Sequence, residues 1–413
     1  MRQSKLLGKS IKQAPKDEVS VNSQLLIRAG FIDKLMAGVY SYLPLGLRTL
    51  NKIKNIVREE MNKIGGQEIL MPALLPKEPW QKTGRWENPG KEVMFQFKSR
   101  GDKDFGLGWT HEEIVTPLVQ KFVNSYKDLP VAVYQIQDKF RNEPRAKSGL
   151  LRGIEFSMKD LYSFHRDEED MWKYYEASKQ AYLNVFRRCG LDAKIVEASG
   201  GDFSKYSHEF QVFTEYGEDT VRYCPKCDFA QNSEICELQI GDKCPKCGEP
   251  ILEAKAIEVG NIFPLKTKYS TAFNFKYNDE KGKSQDVVMG CYGIGPSRVM
   301  GSVVEVHHDE AGMIWPEQIA PFRVHLLFLG KDDKILSAAE KLYAELCASG
   351  IEVLFDDREE SAGIKLNGSD LLGIPFRLVV SEKTLAKNSV ELKKRNESET
   401  SLIKIEKVIS ILQ

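Results

Sequence analysis

The segment YQIQDKFRNEPRAKSGLLRGIEFSMKDLYSFH at 134–165 constrains this chain more than any other. Side chains of a strand alternate between faces. A strand carrying Arg141 and Glu143 therefore presents both on one side, and a second strand carrying Arg152, Glu155 and Phe156 answers it across a loop with Pro144, Lys147, Ser148 and Gly149. Such a hairpin brings two guanidiniums and an aromatic ring together. Planar guanidiniums match phosphate and carboxylate oxygens, and Phe156 offers a face on which a base can stack, which is the outline of a nucleotide site. Spacing alone also admits a solvated, charged hairpin.

The pattern FRxE at 140–143 followed by RGxEF at 152–156 resembles motif 2 of the class II aminoacyl-tRNA synthetases. Further stretches resemble the bacterial prolyl-tRNA synthetases, in that family's order: LLIRAGFIDKLMAGVYSYLPLG at 25–46, THEE at 110–113, SHEFQV at 207–212, GCYGIGPSR at 290–298, and the segment from Trp315 to Arg358. The resemblance implies an α+β fold. A class II catalytic domain, built on an antiparallel sheet flanked by helices, would occupy 1–315, carry a short zinc-ribbon-like insertion at 222–255, and lead into a C-terminal α/β anticodon-binding domain at 316–413. It implies an activity as well: L-proline is activated by ATP, taken as its Mg²⁺ complex, to prolyl-adenylate and then passed to tRNA(Pro). The alternatives are a sister class II enzyme for threonine, serine or glycine, and a non-catalytic paralogue with a binding or regulatory role. The TxE loop at Thr110 to Glu112 favours proline, and the presence of both ATP motifs and an anticodon part favours an enzyme.

Lys plus Arg equals Asp plus Glu at 59 each, so an RNA surface on this chain must be a local patch, and neutrality is no argument against one. No run approaches the roughly 18 apolar residues needed to span a bilayer, and the N-terminus lacks a signal peptide's apolar core. A cytoplasmic protein without a membrane partner is expected. Arg2, Lys5, Lys9, Lys12 and Lys16 precede the first acid, Asp17, as in a transit peptide, yet the family resemblance already begins among them.

Leu47, Leu50, Ile53, Ile56, Val57, Met61 and Ile64 recur at helical spacing, and Gly65 and Gly66 end the pattern. The strand QEILM then runs into Pro72. This arrangement resembles motif 1, through which class II synthetases form homodimers; periodicity alone equally allows a helix packed on its own core. A second helix is expected from Glu168 to about Arg188, ending at Gly190, with a new strand from Val196. Residues 284–292 read as a buried strand feeding a glycine-rich turn, with Arg298 in the first turn of the next helix. That resembles motif 3 and implies an adenine held between Arg298 and Phe156 by stacking and cation–π attraction.

The resemblance also implies the rest of the site. Thr110 and Glu112 would take the imino nitrogen of proline, since a secondary ammonium has two N–H donors and a hydroxyl plus a carboxylate satisfies both. Arg141 would neutralise the substrate carboxylate and the ATP α-phosphate together. Glu143, Arg152, Phe156, Thr267 and Arg298 would complete the ATP site, with Glu143 a participant in Mg²⁺ binding, and Met158, Asp160, His165 and Cys291 would line the proline pocket. Taken alone, His165 reads equally well as a core histidine. His208 and Glu209 fall near the site without an assigned step. Catalysis by orientation and charge stabilisation needs no protein nucleophile, so neither His111 nor Cys291 is nominated as one. Three positions depart from the family: Trp109 stands for proline, Ile154 for a frequent arginine, and Pro264 for an ATP-contacting glutamine.

CPKC at 224–227 and again at 244–247 reads as a four-thiolate zinc ribbon with ligands Cys224, Cys227, Cys244 and Cys247, structural because no coordination position is open. Redox-active thiols and a metal-free ribbon are the competing readings. Many bacterial members carry a large editing domain between SHEFQV and EVGNIF, whereas here the interval is 214–257. Mischarged alanine would then be cleared by a separate deacylase acting in trans. After WPEQIAP, the words VHLLFLG, a helix at 338–348, IEVLFDD and IPFRLVV read as strand, helix, strand and strand. Lys383, Lys387, Lys393, Lys394 and Arg395 make that end basic, which suits either tRNA phosphates or a solvated face.

Overall fold

The computed structural model describes every residue except Arg145 and Lys147, two members of the loop after Glu143. Two compact units are present, one comprising Ala37–Val39 and Ile53–Ser302, the other Met1–Met36, Tyr40–Lys52 and Val303–Gln413. The first 36 residues, expected with the catalytic part, thus cluster with the C-terminal sheet. Helix α1 (Pro44–Lys63) buries Leu50, Ile53, Ile56, Val57 and Met61, the apolar stripe of its sequence, and leaves Leu47 exposed. Gly65, at φ +79°, turns the chain out of the helix.

The larger unit is built on a nine-stranded, mainly antiparallel sheet. Its strands are β1 (Gln67–Glu68), β2 (Val131–Phe140), β3 (Glu155–His165), β4 (Ala193–Ser199), β5 (Tyr206–Phe213), β6 (Asp219–Tyr223), β7 (Ala230–Asn232), β8 (Leu252–Lys266) and β9 (Val288–Ile294). They lie in the order β5-β4-β7-β6-β8-β9-β3-β2-β1, with β5 also pairing to β8. Of QEILM, two residues form β1, parallel to β2 at the sheet edge. The hairpin β2–β3 runs in unbroken antiparallel register from Val131 opposite Phe164 to Phe140 opposite Glu155.

The strands stop short of the expected arginines. The Arg141 N–H still reaches the Ile154 carbonyl at 2.8 Å, but the Glu143 N–H turns back to the Arg141 carbonyl at 2.8 Å. That three-residue turn ends the ladder, and Pro144 has no N–H to restart it. Arg141 and Glu143 therefore sit beyond β2, and Arg152 precedes β3 after a 3₁₀ turn at Gly149–Leu151.

Helix α2 (Glu168–Arg188) follows β3. The Asp167 side chain accepts from the Asp170 N–H at 2.8 Å, and acids fill the first turn, as the helix dipole favours. Its buried Met171, Tyr175, Tyr182 and Phe186 cover one face of the sheet. Residues 284–286 do not join β9. They pair with Lys276–Asn278 as a separate hairpin, and only the apolar run from Val288 enters the main sheet. Beyond β9, Pro296 opens helix α3 (Pro296–Val306), a position where its missing N–H costs nothing.

In the other unit, β10 (Val324–Leu329), α4 (Asp333–Ala348), β11 (Val353–Asp356), α5 (Ala362–Leu372), β12 (Phe376–Ser381), β13 (Ser389–Lys394) and β14 (Thr400–Lys404) form a sheet ordered β11-β10-β12-β13-β14. Helix α5 was not expected. Both β11 and β12 run parallel to β10, so the chain must cross back between them; Gly363 and Gly368 within α5 weaken its helical signature. Met1 and Arg2 extend this unit's edge, with the terminal ammonium donating to the Val353 carbonyl at 2.8 Å and Arg2 bridging Phe355. Lys383 and Lys387 are exposed, but Arg395 is buried and donates to both carboxylate oxygens of Asp309 at 2.7 and 2.6 Å. Arg395 is thus a structural cation and leaves the expected basic face. Asp356 accepts two bonds of 2.8 Å from Arg358, so the DDR segment is internally paired. Among the described residues no helix is long and apolar enough to cross a membrane.

Candidate active site

A cavity of about 400 Å³ opens on the sheet face opposite α2. Alternation along β3 builds its floor: Phe156, Met158 and Asp160, then Tyr162, all line it, and at about 3.3 Å per residue Phe156 and Tyr162 stand some 20 Å apart. The cavity therefore has two ends with different chemistry.

At the Phe156 end Arg141, Arg152 and Arg298 converge with Glu143, Glu218, Asp219 and Glu258. Arg298 is tied down, its Nε donating to the Leu151 carbonyl at 2.8 Å and Nη1 to Glu258 at 2.8 Å. Arg152 bridges Glu143 at 3.0 Å and Glu218 at 3.3 Å. Arg141 differs: its guanidinium carbon lies 5.2 Å from the Phe156 ring centre, and its Nε has no acceptor among the described residues. Burial, and next the charge of Arg298, press its pKa below the usual guanidinium value. Behind this end, burial and the neighbouring Glu258 push the Glu209 carboxyl up to about 8, and burial raises that of Asp219. A hard divalent cation takes carboxylate oxygens; of the carboxylates lining this end, Glu143 and Glu218 are paired with Arg152 and Glu258 with Arg298.

At the Tyr162 end the register sets Cys291 opposite Tyr162. The buried Glu112 carboxylate accepts from the Thr110 hydroxyl at 2.6 Å, the Cys291 thiol at 3.3 Å and Arg85 at 3.3 Å. Asp160 accepts from Gln135 and the Tyr162 hydroxyl, each at 3.0 Å, and pairs with the buried Lys139 at 2.9 Å. Lys139 also meets His111 Nδ1 at 2.8 Å, while Nε2 of that ring faces the Pro72 carbonyl at 2.9 Å. His111 therefore carries its proton on Nε2, and burial together with Lys139 lowers its pKa to about 4. Burial holds the Cys291 thiol well above its ordinary pKa, so it is not the thiolate a nucleophile would use, and both nitrogens of the His111 ring are engaged, by Lys139 and by the Pro72 carbonyl.

Thus Thr110, Arg141, Glu143, Arg152, Phe156, Met158, Asp160, Cys291 and Arg298 line one cavity, with Glu112 held directly behind Thr110 and Cys291. Two expected members stand elsewhere. His165 is an odd number of residues from Asp160 and so points to the α2 face, where Nδ1 meets Asp170 at 3.0 Å and burial lowers its pKa; it is the core histidine of the alternative reading. Thr267 caps the short helix Lys268–Ala272 after a bulge between Pro264 and Lys266 carries the chain out of register with β9, and neither Thr267 nor Pro264 lines the cavity. His208 likewise faces α2, bonded to Tyr175 at 2.8 Å. Ile154 bonds through its backbone to Gly38 and takes no place in the wall. Sequence reasoning missed Tyr162, which the same alternation would have found, and Arg85, Lys139, Asp219 and Glu258, for which only packing supplies a signal.

The four ribbon thiols, Cys224, Cys227, Cys244 and Cys247, lie within 4.8 Å of one another, with Sγ–Sγ distances of 3.4 Å for Cys224–Cys247 and 3.5 Å for Cys227–Cys244. Tetrahedral ligands 2.3 Å from a zinc ion would stand about 3.8 Å apart, so the set fits that metal.

Residues 95–307 match the class II core domain of the tRNA synthetases for glycine, histidine, proline, serine and threonine, and residues 323–413 match the anticodon binding domain. The proline-tRNA ligase of Dehalococcoides mccartyi is 35% identical over 557 aligned positions, covering 99% of this chain and 98% of the relative. That of Moorella thermoacetica is 35% identical over 563, covering 100% and 98%. These alignments exceed the 413 residues present here, so the relatives hold a long stretch without counterpart in this chain. The prolyl-tRNA synthetase of Cryptosporidium parvum, solved with halofuginone and AMPPNP, shares the fold with a TM-score of 0.79 at 17% identity, over 95% of this chain and 75% of that one. The Giardia lamblia enzyme, solved with prolyl-adenylate, does so at 0.77 and 22%, over 93% and 74%. Full-length similarity to these ligases, on a sheet whose cavity joins an arginine-rich end to a buried carboxylate end, makes this chain a member of the prolyl-tRNA synthetase family of class II enzymes.

Proposed function

We propose that ATP occupies the Phe156 end of the cavity and L-proline the Tyr162 end, with Arg141 between them. The observation that carries this reading is the single cavity floored by β3, which joins the arginines gathered around Phe156 to the Glu112 and Asp160 carboxylates beside Tyr162. Phe156 and Arg298 sandwich the adenine. Thr110 and Glu112 receive the secondary ammonium, and Met158, Asp160, Tyr162 and Cys291 enclose the ring. The substrate carboxylate attacks the α-phosphate, two anions brought together because Arg141 neutralises both, and pyrophosphate leaves. The terminal ribose hydroxyl of tRNA(Pro) then attacks the carbonyl carbon of the prolyl-adenylate, the acyl–phosphate bond breaks, and AMP leaves. Of the acids lining this end, Glu143, Asp219 and Glu258 would be the ones to hold Mg²⁺, which would draw charge from the phosphates. That two proteins of this fold were solved with AMPPNP and with prolyl-adenylate supports ATP and proline as its occupants. In amino-acid-dependent ATP–pyrophosphate exchange across the standard amino acids, proline should drive most of the exchange and alanine a weaker part. No exchange with any amino acid would overturn the reading.

Cys224, Cys227, Cys244 and Cys247 hold one structural zinc, closing the ribbon between β6 and β8. Protein purified under reductant should carry about one zinc per chain, and chelation should lower its melting temperature, because a ribbon this small has little core of its own. Less than half an equivalent would count against the site. The edge strand β1, with Leu70 and Leu74 exposed beside it, joins two copies as a homodimer. Light scattering at micromolar concentration should give the mass of two chains, and a monomer there would contradict the assignment.

A further inference from the structure

Arg85 lies outside the synthetase motifs, buried beside the substrate end of the cavity. Its guanidinium carbon stands 4.5 Å from the Trp109 ring centre, 4.9 Å from Phe203, 5.5 Å from Tyr269 and 5.6 Å from Trp80. Four aromatic rings thus cage one buried arginine. Its Nη1 donates to Glu113 at 2.9 Å and to Glu112 at 3.3 Å. Trp109 and Phe203 line the substrate cavity, whereas Arg85 does not. The arginine is therefore walled off from any ligand by those rings, and its polar link toward the cavity runs through Glu112.

We propose that Arg85 is a positioning residue for proline recognition, clamping the Glu112 carboxylate in place from within an aromatic cage that Trp109 completes. Glu112 has two oxygens, and each is claimed: one by the Thr110 hydroxyl and Arg85, the other by the Cys291 thiol. With both Thr110 and Cys291 in the cavity wall, this clamp decides where the carboxylate meets the substrate nitrogen. Charge tells the same story. One guanidinium faces both Glu112 and Glu113, burial and the charge of Glu112 push the Glu113 carboxyl up to about 7, and the nearby Asp160 is already matched by Lys139. A cationic ring nitrogen set against Glu112 gains from its negative charge; a neutral ring does not. The cage adds cation–π attraction and excludes water, which strengthens the ion pairs inside it.

The proposal rests on the reading that Glu112 takes the substrate ammonium, so Glu112→Gln serves as the reference variant. Arg85→Met, Arg85→Lys and Trp109→Leu are compared in pyrophosphate exchange for KM(proline), KM(ATP) and inhibition by L-tetrahydrofuroate, which has oxygen in place of the ring nitrogen. Loss of a charge-assisted contact should raise KM(proline) for Arg85→Met by roughly 10- to 100-fold. KM(ATP) should hold, the preference for proline over tetrahydrofuroate should shrink by a similar factor, and Arg85→Lys should restore part of it. Should Arg85→Met fail to fold, Trp109→Leu keeps the charge and opens the cage, and it should show the same split at smaller amplitude. Equal rises in both KM values, or an unchanged preference, would overturn the proposal. If Glu112→Gln loses the preference while the Arg85 and Trp109 variants keep it, only the clamp is wrong; if Glu112→Gln itself keeps it, the amine reading fails first.

Discussion

Arg141→Ala should lower proline-dependent pyrophosphate exchange by roughly a thousandfold or more while leaving the melting temperature unchanged or raised. The rate loss follows from what the side chain faces. Charge-stabilising groups aimed at a reaction centre are worth about a hundred- to a thousandfold each, and an arginine meeting a transferring phosphoryl group reaches higher. Here the guanidinium would serve two anions at once. The stability expectation follows from what it lacks. Arg298 and Arg152 are held by carboxylates of the protein, whereas Arg141 Nε has no acceptor among the described residues and the neighbouring Arg298 repels it. A charge whose desolvation outweighs what the neighbouring Glu258, Glu112 and Glu143 return costs folding free energy, and its removal returns that cost. Exchange retained within tenfold of the unaltered enzyme would remove Arg141 from the chemistry, and a cooperative loss of structure in the variant would show that its role is to hold the loop after β2.

Alanyl-tRNA(Pro), once formed by this enzyme, should persist in its presence at the uncatalysed rate. Between β5 and β8 the chain contributes β6 and β7 to the main sheet and spends the remainder on the ribbon, so the interval where the family resemblance would place a hydrolytic domain is fully used. The alignments of 557 and 563 positions agree with a long stretch held by the relatives alone. Alanine is smaller than proline and enters the same pocket, where missing methylenes are worth only about 1–3 kcal/mol, or some 10- to 200-fold in selectivity. We propose that mischarging at that level is cleared by a separate deacylase working in trans. Preformed alanyl-tRNA(Pro) incubated with stoichiometric enzyme provides the measurement, and clearance faster than in buffer would mean that the chain carries a hydrolytic site of its own.

Much of this was legible because its signal is local. The 3.6-residue period of Leu50 to Met61 and of Met171 to Phe186 foretold both long helices, and the two CPKC words foretold a four-sulfur cluster. The parity of β3 carried information that was half used. It would have put Tyr162 on the floor beside Asp160 and removed His165 to the α2 face, had alternation been followed past Asp160. Strand ends were less legible, since the turn that halts β2 depends on a backbone bond from Glu143 to Arg141 and not on residue type. Helix α5 was hidden by its glycines, and its existence follows from the parallel pairing of β11 and β12 with β10, a long-range fact.

By itself the sequence determined the class of the chain, the order of its motifs and which residue types face one another across the central hairpin, because period, spacing and turn chemistry are written within a few residues. Tertiary structure alone decided which charges are matched. Arg85 meets Glu112 and Glu113 through a cage gathered from Trp80, Trp109, Phe203 and Tyr269, and Lys139 meets Asp160 across the hairpin. The physical reason is that a buried charge is stable only where distant segments bring it a partner and shut out water, and no local pattern records which segments those are.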